Sequence, residues 1–260
     1  MSRRIPILLA LVLAVVAVGC RTPHADTVTQ VCTIDALLAG AYDGTLSCRA
    51  LRRYGDFGIG TFHRLDGEMV VFEGRVYQVP HTGVVREVGD SLSTPFASVC
   101  PFAPTVGFAL GEGLDYAAVQ QMIDARMANP NGVFACHIRG TFTRMKTRSV
   151  PPQSKPYPPL AEVTKTQPVF EMEQVAGDIV GFYLPPFVKG INVPGYHFHF
   201  LSADRTRGGH ILDFEIAEGT VAIDSLSKLH LLLEGLPAEV DLGRDRSQEL
   251  HRVEVDAGAK

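Results

Sequence analysis

Gly195-Tyr196-His197-Phe198-His199-Phe200-Leu201, followed by Gly208-Gly209-His210, is the stretch that decides how this chain is read. Successive side chains of a β-strand point to opposite faces. His197 and His199 therefore share one face, while Tyr196, Phe198 and Phe200 take the other. Between His199 and His210 lie Asp204, Arg205, Arg207, Gly208 and Gly209, residue types that reverse the chain and start a second strand, His210–Ile216, beside the first. A third imidazole then joins the first two. Three neutral histidines on a stiff hairpin, with a position left for solvent or substrate, form the pattern of a catalytic zinc site. His-x-His alone also occurs on ordinary strands as packing; the third histidine after a Gly-Gly turn is what points to a metal. The remaining histidines, His24, His63, His81, His137, His230 and His251, are scattered singly and read as surface or core residues.

The N-terminus is a separate unit. Arg3 and Arg4, the apolar run Ile5–Val18 and the small residues Ala17-Val18-Gly19 before Cys20 predict an export signal over residues 1–19, with lipid attachment at Cys20. A transmembrane anchor is the competing reading, but Ile5–Val18 is shorter than the roughly 20 residues a bilayer span needs. The expected location is the bacterial cell envelope, with membrane contact only through that lipid; without processing, the chain stays in the cytoplasm. Net charge is −4 and no long lysine/arginine block occurs, so no nucleic-acid partner is expected. Beyond Cys20 the cysteines are Cys32, Cys48, Cys100 and Cys136. They allow two disulfides in an exported protein or four buried thiols, and none has zinc-ribbon spacing.

Residues 20–32 begin with a polar run and read as a tether. Thr33 is placed to cap a short helix over 34–39. Strands over 58–63, 68–72 and 75–79 are punctuated by Asp66-Gly67 and Glu73-Gly74, both hairpin signals. Leu114, Ala118, Met122 and Ala125 recur at helical spacing and predict a helix over 114–128, followed by a strand over 133–150. Prolines at 151, 152, 156, 158, 159 and 168 cannot sit inside a sheet, so 151–168 reads as a connection between a mixed-sheet domain (33–150) and a second strand-rich domain (169–260). Strands are expected there at 170–174, 179–184, 195–201, 211–216 and 220–223, then a helix near 224–233 and a charged tail. The fold class is α+β: two strand-rich lobes of antiparallel or mixed sheet, a few helices, and the metal in the cleft between the lobes.

Further residues invite chemistry. Glu68 opens a strand on the face that also shows Val70 and Phe72; a carboxyl bordering apolar groups has a raised pKa and suits proton transfer, whereas a solvated strand end would leave it inert. Arg148 shares a strand face with Arg144 and Lys146. Those two read as a solvated stripe, but Arg148 lies against the proline-rich connection, where a guanidinium can fork onto a carboxylate or oxyanion. Thr61 is an uncharged hydroxyl, and Glu254 reads as tail charge or as an acidic site residue.

With these pieces assembled, the chain resembles the bacterial α-acetolactate decarboxylases from about Thr33 to about Glu254. The segments that carry the resemblance are Gly58-Ile-Gly-Thr-Phe62, Leu65-Asp-Gly-Glu-Met-Val-Val71, Thr147-Arg-Ser-Val-Pro151 with Gln153, and the histidine strand with Gly209-His210-Ile-Leu-Asp213. The resemblance implies zinc on His197, His199 and His210, with Glu68, Arg148, Thr61 and a C-terminal acid as the other site residues. That acid falls on Glu254, with Glu249 and Asp256 as alternatives. It also implies a homodimer acting on 2-acetolactate to give acetoin and carbon dioxide, without an organic cofactor. Two other readings stay open. A cupin-like metal oxygenase also places His-x-His after glycine, with Asp204 near its usual carboxylate position, and a surface lipoprotein that binds a metal or ligand without turnover fits the export signal.

Overall fold

Hairpins at Asp66-Gly67 and Glu73-Gly74 fold β3 (Phe57–Thr61), β4 (Glu68–Phe72) and β5 (Arg75–Val79) into an antiparallel meander. The structure, a computed structural model, describes residues 25–238 and 240–254; the signal-peptide reading, Cys20 and Asp256 lie outside them. β6 (Arg86–Glu87) continues the meander beyond β5. On its other side β8 (Ala97–Cys100), β1 (Thr27–Val31) and β15 (Lys228–Leu232) follow in turn, giving seven strands in which only β1 and β15 run parallel. A small ribbon pairs β2 (Leu46–Ser47) with β7 (Ser93–Thr94).

The second sheet is built on β11 (Val133–Arg148), flanked by β12 (Val169–Leu184) and β14 (Gly208–Leu226). β13 (Gly195–Ser202) pairs with β12 on one side and with the start of β14 on the other, so the pairings run in a closed circuit. β9 (Val106–Leu110) and β10 (Leu114–Asp115) lie along β14. Helices are short: α1 (Ile34–Leu38), α2 (Cys48–Leu51), α3 (Tyr116–Asp124), α4 (Leu160–Val163) and α5 (Ser247–Glu254). The Thr33, Ser47 and Asp115 side chains accept the free N–H groups of Ala36, Ala50 and Ala118, which fixes where α1, α2 and α3 begin.

Alternation sorts the side chains into layers. Phe198 and Phe200 join Phe142, Met145 and Phe214 in one core, sealed by Val119 and Ile123 of α3. Leu201, of the same parity as His197 and His199, packs instead with Val180 and Phe182 against Ile59, Val70 and Val79 of the first sheet. Each large apolar side chain buried in that interlayer is worth roughly 1.5–3 kcal/mol, against about 1 kcal/mol or less for an exposed ion pair. Apolar burial therefore holds the sheets face to face. One polar tie reinforces it. Burial alone would raise the Asp178 carboxyl, but it accepts from His137, Arg139 and Arg205 at 2.8–2.9 Å and is held well below its ordinary range. Arg139 and Arg205 in turn lie over Phe72 of the first sheet.

Several expectations change. The tether 20–32 contains β1, buried throughout, because its polar Gln30 is satisfied internally: Gln30 Oε1 accepts from Ser98 and Asn192, and Nε2 donates to two backbone carbonyls. The proline-rich segment 151–168 does not separate the sheets, since β9, β10 and β11 precede it yet belong to the second sheet, and β15 follows it yet belongs to the first. Segments 170–174 and 179–184 are one strand, as are 211–216 and 220–223. The helix expected near 224–233 is the end of β14 and then β15, because the edge of β1 offers its leucine-rich run a full set of backbone partners. The four cysteines are buried free thiols.

Candidate active site

His197 and His199 leave β13 on the face turned towards the first sheet, and His210 stands directly opposite His199 on β14. Gly208 and Gly209 make that approach possible. A side chain at Gly209 would meet the Arg148 carbonyl at 2.5 Å, and one at Gly208 would meet the Phe200 carbonyl at 2.4 Å. Gly209 also has φ +135°, a conformation open to glycine and rarely to other residues. Arg148 pairs with His210 across β11 and β14, so His199, His210 and Arg148 form one row across three strands. A register shift between Lys146 and Thr147 re-aims the strand end: Arg148 is buried, while Arg144, paired to Asp213, remains partly exposed.

The three rings offer one nitrogen each, all within 4.8 Å of one another. His197 Nε2 lies 3.1 Å from His210 Nδ1. His199 Nδ1 is 2.8 Å from the Met69 carbonyl; a carbonyl only accepts, so Nδ1 carries the proton and Nε2 is the free lone pair. Burial, assisted by Arg148, lowers His197 to about 3. Burial and the neighbouring positive charges hold His199 and His210 well below the ordinary range, so all three are neutral at neutral pH. Clustered, buried, neutral imidazoles suit a metal ion of borderline softness.

The first sheet supplies the facing groups. The β3–β4 register sets Thr61 opposite Glu68. Thr61 Oγ1 donates to the Gly67 carbonyl at 2.7 Å, and Glu68 Oε2 lies 3.6 Å from His199 Nε2. Burial pushes the Glu68 carboxyl up to about 8, against the opposing pull of Arg148. From the chain's far end, α5 brings Glu254 Oε2 to 3.4 Å from His210 Nε2 and 3.8 Å from Arg148 Nη2. Burial raises Glu254 as well. Arg148 Nη1 donates to the Val253 carbonyl, which ties α5 to the sheet, while its Nε is buried without a partner.

Thr61, Glu68, Arg148, Glu254 and the three histidines thus line one cavity of about 50 Å³. Glu249 is ion-paired to Arg244 and Arg246 instead. Asp204 is engaged in its turn by Ser202 and Thr206 and does not join the histidines, which removes the carboxylate a cupin-like centre would use. Sequence reasoning missed the further lining residues Leu65, Phe96, Val150, Leu160, Thr164 and Val253. Most of these are apolar core residues whose side-chain type carries no functional signal.

Comparisons with known proteins show the family of the chain. A sequence profile described as alpha-acetolactate decarboxylase matches residues 28–239. The chain is 42% identical to the alpha-acetolactate decarboxylase of Methanosarcina mazei over 234 residues, 88% of this chain and 80% of that protein. It is 40% identical to that of Methylococcus capsulatus, over 89% of this chain and 90% of the relative. The crystal structure of alpha-acetolactate decarboxylase from Bacillus subtilis strain 168 superposes with a TM-score of 0.85 at 34% identity, covering 88% of this chain and 99% of that one. Fold, site and relatives define a carboxy-lyase, an enzyme that breaks a carbon–carbon bond to release carbon dioxide. Within that class, the chain belongs to the alpha-acetolactate decarboxylase family.

Proposed function

We propose that this chain is a zinc-dependent acetolactate decarboxylase, converting (S)-2-acetolactate (2-hydroxy-2-methyl-3-oxobutanoate) to (R)-acetoin and carbon dioxide through an enediolate. The observation that carries the reading is the convergence of three neutral, buried imidazoles with the buried Glu68, the partly buried Glu254 and a guanidinium in one cavity of a chain from this family. His197, His199 and His210 would hold the ion, and the fit rests on their nitrogens: close together, unprotonated, and in His199 fixed in tautomer by Met69. The chemistry supplied by a zinc ion bound there is Lewis acidity, a positive charge beside the ketone oxygen that receives the electron pair when the carboxylate departs.

The chain's own residues do the rest. Arg148 presents a planar guanidinium to the substrate carboxylate and holds it in line for departure. Loss of carbon dioxide leaves the electron pair on the former C2–C3–oxygen unit, and one proton delivered to carbon completes acetoin. Glu68 stands 3.6 Å from His199 Nε2, and burial raises its carboxyl in the metal-free cavity, so it is the residue we assign to that delivery. Glu254, beside His210 and Arg148, serves the hydroxyl proton. Which face receives the carbon proton fixes the product's handedness. Thr61, donating to Gly67, braces the turn that carries Glu68.

The test is direct. Purified protein beginning at residue 20 should form acetoin from 2-acetolactate without oxygen, and His199→Ala should abolish this while the circular dichroism spectrum is unchanged. Wild-type protein that makes no acetoin above the spontaneous rate defeats the reading. Oxygen consumption with bound iron would instead support the oxygenase.

The reading extends to location and assembly. Residues 1–20 carry the pattern of a lipoprotein signal, and we propose export with a lipid on Cys20. Fatty-acid labelling that is lost in Cys20→Ala supports this; label retained in that variant rejects it. We also propose a homodimer, to be checked by sedimentation of the protein beginning at residue 20 against twice its own chain mass.

A further inference from the structure

The cavity has two chemically distinct walls. The histidines, Glu68, Arg148 and Glu254 form one; Leu65, Phe96, Val150, Leu160 and Val253 form the other, all of them members of a single apolar cluster. Two of these, Leu160 on α4 and Val253 on α5, sit on short helices that pack against each other and close the cavity. A 2-hydroxy-3-oxo acid directs three oxygenated groups at the polar wall: carboxylate, hydroxyl and ketone. What remains is its two alkyl groups, and the apolar wall is the surface left to receive them.

We propose that Leu160 and Val253 are specificity-determining residues that measure the substrate's alkyl substituents, an inference resting on the decarboxylase reading. The space is small, about 50 Å³, and both side chains are almost wholly buried. A longer substituent must displace one of them, and a close-packed interior resists that. Their elements favour this role over the sheet residues. Leu65 and Phe96 adjoin strands β4 and β8 of the first sheet, whereas Leu160 and Val253 sit on short helices outside both sheets.

The experiment compares kcat/KM for 2-hydroxy-2-methyl-3-oxobutanoate with that for the homologue bearing ethyl in place of the 2-methyl group. Wild-type protein should favour the methyl compound. Leu160→Ala should raise the ethyl-to-methyl ratio at least about tenfold, the low end of what one methylene is worth in an apolar pocket. Val253→Ala, which keeps the backbone carbonyl bound by Arg148, should shift it the same way. Should Leu160→Ala fail to fold, Leu160→Val is the milder variant, with a smaller shift in the same direction. Folded, zinc-loaded variants whose ratio stays within twofold of wild type overturn the assignment while leaving the decarboxylase reading intact. Wild-type protein that decarboxylates neither compound overturns both.

Discussion

His199 of β13 donates from Nδ1 to the carbonyl of Met69 on β4 at 2.8 Å, a hydrogen bond that crosses from one sheet to the other. The bond does two things at once. It selects the tautomer that leaves Nε2 free, and it makes the ring part of the join between layers, so the imidazole row is positioned only when both sheets are docked.

The first prediction follows from that position. Changing an outer partner of a metal-bound histidine typically costs about 10–100-fold in affinity, and His199→Ala would remove one of the three proposed ligands itself. Its zinc affinity should therefore fall at least a hundredfold, measured by competition with a chromophoric chelator. Wild-type affinity in this variant would show that the ring is only an interlayer strut.

Arg148 should separate binding from turnover. It touches none of the ring nitrogens by hydrogen bond, and its partners are the Val253 carbonyl, Gln167 and Glu254. Arg148→Ala is expected to keep stoichiometric zinc but lose on the order of 100-fold or more in kcat, the usual cost of removing a positioned charge donor. Arg148→Lys keeps the charge without the fork and should recover only part of the loss. Zinc lost along with activity would identify the arginine as a structural residue.

The buried imidazoles make the metal-free protein acid-sensitive. The folded-state value of His197, about 3, lies below the ordinary 6.5, so unfolded chain binds protons first as pH falls. The stability tied to each neutral ring is complete above pH 6.5 and is lost as pH drops towards 3, amounting to about 2 kcal/mol by pH 5 for a ring of this kind. Denaturant midpoints of metal-free wild type should decline between pH 7 and 5, and His197→Gln should flatten part of that decline. Equal slopes in the two proteins would contradict the burial account.

Glu68 has the opposite sense. Its folded-state value, about 8, lies above the ordinary 4.5, so its contribution is complete below pH 4.5 and disappears as pH rises through 8. Metal-free Glu68→Gln should therefore gain on wild type in melting temperature as pH rises from 5 to 8.5, while its acetoin formation in the zinc-loaded state drops by about 100-fold or more. A melting-temperature difference independent of pH would mean that the carboxyl is solvated in the folded protein.

Much of this site was readable because strand parity is strict. Once Phe198 and Phe200 are committed to a core, His197, His199 and Leu201 have one face left, and the structure places them there. Glu68, two and four residues from Val70 and Phe72, follows the same rule. What parity cannot report is which distant element closes the space. Glu254 reaches the histidines on a helix whose exposed residues look like any charged tail, and Leu160 and Val253 look like any core. Thr27–Val31 reads as a polar linker until Gln30 is seen to be satisfied by Ser98 and Asn192. The prolines at 151–168 do mark an irregular connection, but β11 and β12 on either side of it are hydrogen-bonded neighbours, so the connection reverses the chain within a sheet.

Gly209 links the backbone to the chemistry, and Gly209→Ala tests that link. The added methyl would lie 2.5 Å from the Arg148 carbonyl and 3.1 Å from Thr147, at a φ of +135° that alanine rarely adopts. Strain of this kind costs about 1–3 kcal/mol for the backbone alone, before any displacement of β11 is counted. Both neighbours of the site feel that displacement, because Arg148 is the residue struck and His210 is the next residue along. The variant should lose a few kcal/mol in denaturant unfolding and bind zinc more weakly than wild type even under conditions where it is fully folded. Unchanged affinity in the folded variant would show that the close approach of β11 and β14 serves stability without setting the position of His210.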